Sequence, residues 1–550
     1  MGLSPPGLSP FNDTGGNKMK FERKSGILLH PTSLPGTPGI GTFGKEAYKF
    51  IDWLKSGGQT LWQVLPLGPT GYGDSPYASF STFAGNPLLV DFEMLCEKGW
   101  ADRKDVVPPD YISSSGPVDF GAVVWWKTPA LEKCARHFLA CASSGDMELF
   151  RSFCTEKSSW LDNYALFMSI KRFYDGKAQS EKAENSVWYA FWPRALASAD
   201  EEALRDWTSS HSEELDVIKV IQFFFDFQWN SLRRYAAAAG VSIIGDIPIF
   251  VAADSADVWA NQKFFQLSEN GAPAEVAGVP PDYFSADGQL WGNPLYDWDA
   301  MKADGYSWWI SRIKRVLELA DCLRIDHFRG FEAYWSVPAG ERTAVNGRWR
   351  KGPGMDLFNA VRSELGDIPV IAEDLGVITD EVRKLRDDCG FPGMKVLEFA
   401  FSVEEASAHG MTNSFLPHNF TTSSCVVYTG THDNETLQEW LEHISTEQKV
   451  LVDGYVRGKK VSPESAESDV RSGKLRKELV RLAFASSADY AVVPVQDVIG
   501  AGDEGRMNMP STTGANWAWR LPAGSLRKSY SGWLKFLSEM YGRNIVSVKK

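Results

Sequence analysis

The sequence is poor in several things, and each shortage excludes a class of protein. Histidine is scarce, with 8 residues in 550, and no H-x-H or HExxH spacing occurs among them, so the common zinc-hydrolase signatures are missing. The seven cysteines, Cys96, Cys134, Cys141, Cys154, Cys322, Cys389 and Cys425, form no C-x-x-C pair. Scattered thiols in a long chain point to a reducing compartment rather than a disulfide framework. No apolar run approaches the roughly 18 residues of a membrane span. Basic residues are the minority, 57 against 70 acidic, for a net charge of −13. That balance disfavours nucleic acid and anionic membrane as partners, because both demand clustered Lys and Arg. No internal repeat is present.

What the chain has in plenty is aromatic surface, 13% of residues with 21 Trp, which suits both a core and the flat faces of sugar rings. Its first residues, MGLSPPGLSPFNDTGGNKMK, are rich in Pro, Gly and Ser and lack the apolar segment of a secretory signal. Residues 1–20 are expected to be a disordered tail, with folding starting near Met19.

Short apolar runs bounded by turn residues occur at 26–33, 60–67, 242–250, 322–328, 369–376, 394–401, 426–433 and 490–497. Most are apolar on both faces and become polar at the C-terminal end, as parallel strands covered by helices do. Helical patterns lie between them: 43–55, closed by Gly57-Gly58, and 309–320 before the fourth run. Eight strands alternating with helices predict a (β/α)8 TIM barrel, with a doubly wound open sheet as the alternative. The predicted barrel comprises 21–91 and 241–545. The stretch 92–240, with helical periodicity at 131–142 and 217–235, is read as a mostly helical insertion subdomain between strands 2 and 3. Residues 252–295 read as a long active-site loop, and 462–472 as a solvated, charged surface stretch.

Barrel enzymes place their chemistry at the C-terminal ends of strands. Those ends carry Asp246 (GDIPIF), Asp326 and His327 (LRIDHFRG), Glu373 and Asp374 (IAEDLG), and His432 and Asp433 (GTHDN). A single Asp after a strand is more often a helix cap. Converging carboxylates are harder to explain so, because like charges raise one another's pKa. Retaining glycosidic chemistry needs such a set: a carboxylate nucleophile and a protonated acid about 5–5.5 Å apart. Arg324, two residues before Asp326, shares its face of the strand and would keep it ionised. Glu373 follows Val370-Ile371-Ala372, a setting that raises a carboxyl toward a general acid.

These motifs, with LLHPTSLPG, SPYASFSTFAGNPLLVD, GVPPDYFSADGQLWGNPLY, PGMKVLEFAF and GRMNMPSTTGANWAWRL, resemble the amylomaltase set of glycoside hydrolase family 77 from about residue 25 to 521. The resemblance implies a 4-α-glucanotransferase that moves α-1,4-glucan segments through a covalent glucosyl-aspartate. It implies Asp326 as nucleophile, Glu373 as acid/base and Asp433 as transition-state stabiliser. Arg324 and His432 would flank the reacting sugar, and Asp374 would bind a hydroxyl. Ser75, Tyr77, Asp246, Gln289, Trp291 and Asn508 match substrate-contacting positions, and Tyr283 and Phe284 a loop over the cleft. Donors and acceptors would be maltooligosaccharides or starch and glycogen chains, with glucose as a further acceptor. A monomer or homodimer in the cytoplasm is expected, or in the plastid stroma if the source is a plant or alga.

Neither cofactor nor metal is expected. GIGTFG at 39–44 matches a dinucleotide fingerprint, but LPGTP separates it from the strand, and the next strand ends in Pro66-Leu67 rather than an acid. His30, His327 and His432 stand at strand ends, yet Arg324 beside Asp326 would repel a cation. Two alternatives remain open: an α-glucan hydrolase using the same acids, and a catalytically silent glucan-binding protein.

Overall fold

The computed structural model describes residues 21–36, 38–281, 285–512 and 514–544. The expectations for residues 1–20 and for Tyr283 and Phe284 fall outside them. Eight parallel strands form the central sheet: β1 (Lys24–Leu28), β2 (Leu61–Gln63), β3 (Ser242–Pro248), β4 (Cys322–Asp326), β5 (Val370–Ala372), β6 (Gly393–Val396), β7 (Cys425–Tyr428) and β8 (Tyr490–Pro494). Their order is β6–β7–β8–β1–β2–β3–β4–β5, all neighbours parallel. The Ala372 N–H donates to Pro392 O at 2.9 Å, drawing β5 against the chain entering β6 and bringing the two ends together. This is the TIM barrel of the sequence reading, and the open-sheet alternative falls.

Period-two alternation sorts every strand into two layers. Leu28, Leu61, Ile244, Cys322, Ile371, Met394, Val426 and Val492 fill the barrel interior. Ile27, Trp62, Ile243, Leu323, Ile325, Val370 and Val427 face the surrounding helices. On the inward track of β4 the side chains run Cys322, Arg324, Asp326, from an apolar floor to a charged mouth. Tyr428 of β7 tops the apolar layer, its hydroxyl donating to Gln63 at 2.9 Å.

Among the longer helices, α1 (Lys45–Ser56) connects β1 and β2. Residues 92–240 are largely helical, with α2 (Phe120–Cys141), α3 (Ser144–Glu181) and α4 (Ser212–Ala239). Helix α4 also covers the barrel: Trp229 touches the Phe43 and Trp62 rings, and its indole N–H reaches Leu319 O at 2.9 Å. Gly240, at φ 80°, ends α4 in the left-handed conformation that glycine adopts freely.

Two local readings need correction. Residues 275–294 are not irregular loop throughout. Strands Glu275–Val279 and Gln289–Pro294 pair antiparallel, and Ala333–Pro338 with Arg348–Lys351 completes a four-stranded sheet. QLWGNP has neither alternation nor β-branched residues, and its pairing comes from Glu275–Val279 across the intervening loop, which in turn pairs with Ala333–Pro338. The stretch 462–472 holds a helix, Pro463–Arg471, capped by Ser462 with Ala466 and Val470 buried. Ser-Pro at the start is a helix N-terminal signal that the charge of the segment obscured.

One buried guanidinium joins the parts that frame the mouth. Arg312, on α5 (Ser307–Leu319), is fully buried. It donates to Pro248 O at 2.6 Å and Ile249 O at 3.0 Å just beyond β3, and to Thr82 Oγ1 at 2.7 Å in the loop after β2. It also reaches the Tyr296 hydroxyl at 3.3 Å, where the second sheet returns to the barrel.

Candidate active site

Strand register assembles the site. Asp246 lies beside Arg324, and Ile325 beside Ala372, so the next residues up, Asp326 and Glu373, stand at neighbouring strand ends. Arg324 is the hub. Nη1 donates to Asp246 Oδ2 at 2.6 Å and Nη2 to Asp326 Oδ1 at 2.8 Å. Its guanidinium is 4% exposed, whereas Asp326 keeps 27% of its side chain open. The arrangement leaves Asp326 ion-paired on one side and accessible on the other, as a nucleophile must be.

Glu373 is set differently. It accepts the His327 N–H at 2.7 Å and the Leu375 N–H at 2.8 Å, and both bonds favour the ionised form. Burial and the charge of Asp326 oppose them and win, pushing the Glu373 carboxyl up to about 8. It is therefore an acid at neutral pH. Presenting the His327 N–H requires a left-handed backbone at His327, φ 54°, an unusual conformation for a non-glycine residue.

Asp433 occupies the opposite side. Burial pushes its carboxyl up, but His432, 3.2 Å away, and the Asn508 amide, 2.7 Å away, outweigh this and hold it at about 2. Tyr77 stacks on His432 at 5.1 Å, and Trp517 packs against both rings. Trp517 was not anticipated as a site residue, although NWAW lies within a recognised motif. At the rim, Trp291 meets the His327 ring edge-on at 4.8 Å and donates to Gln289 at 3.1 Å. Ser75 accepts the Tyr77 N–H at 3.2 Å and so supports that ring's position.

Two acids expected to touch substrate also hold partners within the protein. The Asp246 side chain has no exposed surface; it accepts from Arg324 and, at 2.8 Å, from the Tyr77 hydroxyl. Burial pushes its carboxyl up to about 6, with Arg324 opposing. Asp374 is held by Arg386 and the Met394 N–H, and its side chain is 8% exposed. A strand-end carboxylate reads alike in sequence whether it faces substrate or an arginine from another element.

The glycine decoy has a packing role: a Cβ on Gly44 would lie 2.1 Å from the Asp91 carboxylate. Glu435, Glu439 and His443 lie close enough to hold a cation, but Arg506 already sits 3.5 Å from Glu435 and 3.3 Å from Glu439.

The pKa values set a pH dependence. Above about 8 Glu373 loses the proton a leaving group needs, so kcat/KM should fall about tenfold per pH unit there. Since its folded pKa lies above the usual 4.5, ionisation also weakens the fold, and stability from this group drains away as pH rises from 4.5 toward 8. Initial rates and melting midpoints from pH 5 to 10 check both. A kcat/KM flat past pH 9 would contradict the assignment.

A barrel whose mouth gathers an ion-paired carboxylate, a second acid pushed up in pKa and a third acid, with aromatic rings about them, fits the class of carbohydrate-acting enzymes. The comparisons narrow this. The family model described as 4-alpha-glucanotransferase matches residues 29–526. The 4-alpha-glucanotransferase of Thermus thermophilus is 47% identical over 95% of this chain and 99% of its own, and that of Synechocystis is 44% identical over 96% and 99%. The solved amylomaltase of Streptococcus agalactiae in complex with acarbose superposes with a TM-score of 0.86 at 38% identity, covering 95% of this chain and all of that one. The chain belongs to the 4-alpha-glucanotransferase family.

Proposed function

We propose that this chain transfers α-1,4-glucan segments between maltooligosaccharides or starch and glycogen chains by double displacement, with glucose as one acceptor. The observation that carries the reading is the unequal setting of two neighbouring acids, Asp326 paired with Arg324 and Glu373 held protonated. Asp326 attacks the anomeric carbon. Glu373 gives its proton to the departing glycosidic oxygen, and a glucosyl ester forms on Asp326. The acceptor 4-hydroxyl then gives its proton to Glu373 as its oxygen displaces Asp326, restoring both acids and the anomeric configuration. Asp433, fixed by His432 and Asn508, holds sugar hydroxyls as positive charge develops on the ring.

A sugar hydroxyl outcompetes water only if it is bound in place, where effective molarities can reach about 10⁵ M. Trp291 at the rim supplies such a surface. We assign catalysis to 21–91 and 241–545 and take 92–240 as an accessory, mostly helical part. We place the protein in the cytoplasm as a monomer or homodimer; all seven cysteines are free thiols, and no helix among the described residues is long and apolar enough to cross a membrane.

Incubation with maltotriose alone tests the reading. A ladder of longer maltooligosaccharides with glucose, and no growth in reducing ends, is expected. Trp291→Ala should raise the hydrolysed fraction. Accumulation of glucose and maltose by the wild type, with rising reducing ends, would identify a hydrolase.

A further inference from the structure

We propose that Trp349 is the platform on which an outer ring of the acceptor glucan stacks, an inference that rests on the transfer function above. Trp349 lies on the edge strand Arg348–Lys351 of the antiparallel sheet. Alternation turns Arg348 and Arg350 toward Glu275 on one face and Trp349 and Lys351 to the other. Two side chains hold the indole. The Arg329 guanidinium lies 3.9 Å from its ring centroid, and Trp335 meets it edge-on at 5.2 Å. Arg329 is buried and donates to Val377 O. The ring is thus fixed, yet Trp349 remains 42% exposed, and Val377 beside this contact 53% exposed.

A lone exposed apolar side chain needs no explanation. This one is tied to the catalytic acid. Leu375 donates its N–H to Glu373, Val377 follows two residues later, and Arg329 bridges Val377 to the indole. The chemistry says which part of the substrate passes here. Glu373 protonates the leaving oxygen and later takes the proton of the acceptor hydroxyl, so the chain beyond that oxygen leaves the cleft along the Glu373 side. Arg329 and Val377 link Trp349 to the segment that follows Glu373, and we infer that it serves that side. A rigid, partly exposed indole braced by a cation offers apolar surface suited to a pyranose ring and needs little ordering on binding.

The test compares acceptors. With a saturating 4-nitrophenyl α-maltotrioside donor, rates are measured against glucose, maltose and maltotriose for the wild type, Trp349→Ala and Trp349→Phe. The alanine variant should raise the acceptor KM for maltose and maltotriose about tenfold, equivalent to about 1.4 kcal/mol of lost contact. Its KM for glucose, too short to reach the platform, should stay near wild type, with kcat within about twofold. Trp349→Phe should recover most of the loss. Unchanged KM for all three acceptors overturns the proposal. So does an equal rise that includes glucose, which would mean a displaced Glu373 loop. A wild type that transfers to none of the acceptors overturns the transfer function itself, and the platform with it.

Discussion

Asp326→Asn and Glu373→Gln should each remove turnover while leaving the protein folded. For Glu373→Gln the loss should be on the order of 10²–10⁴-fold, the usual worth of a positioned proton donor, and for Asp326→Asn at least as large. The two should differ in stability. In Asp326→Asn the amide oxygen still accepts from Arg324 Nη2, and the like charge beside Glu373 disappears, so the melting midpoint should hold or rise. Glu373 accepts two backbone N–H groups, one on each carboxylate oxygen. Glutamine retains one oxygen and turns an NH₂ toward the other donor, which should cost about 1–3 kcal/mol. Thermal melts and initial rates on maltotriose check both. Unfolding of Asp326→Asn would make Asp326 a structural residue.

The second large effect is expected at Arg324. Its guanidinium compensates Asp246, which has no exposed surface, and Asp326, which retains some. Arg324→Leu leaves two carboxylates facing each other without a cation. Breaking a buried pair in this way typically costs about 3–5 kcal/mol. The protein should respond by protonating Asp246, already pushed up to about 6, and activity should fall with the loss of an ionised, oriented Asp326. Arg324→Lys keeps the charge but cannot serve both acids with a fork, so it should recover stability more than rate. Chemical denaturation with rate measurements separates the two. A variant as active as the wild type would rule out Arg324 as the hub.

The parts of this molecule legible in the sequence are those set by local pattern. The eight barrel strands announce themselves as apolar runs turning polar at one end, because both their faces are covered and only their tips meet the cleft. The places of Asp326, Glu373 and Asp433 at strand ends are legible for the same reason. What the sequence hides depends on partners far along the chain. The partners of Asp246 and Asp374, namely Arg324, Tyr77 and Arg386, come from other elements and are invisible in the strand-end pattern. The antiparallel sheet escaped because Gln289–Pro294 becomes a strand only through pairing with Glu275–Val279, which in turn pairs with Ala333–Pro338. Trp517 meets Tyr77 across more than 400 residues of chain, a contact that no spacing rule reports.

The central claim is a covalent glucosyl ester on Asp326 that Glu373 both creates and consumes. A maltotriosyl fluoride donor needs no acid to expel its leaving group, so Glu373→Gln should still be glycosylated by it while lacking the base for release. Mass spectrometry of the quenched variant should show one added maltotriosyl group, mapped by peptide digestion to Asp326. A label on another carboxylate, or an unlabelled protein that nevertheless consumes the fluoride with inversion, would contradict the account.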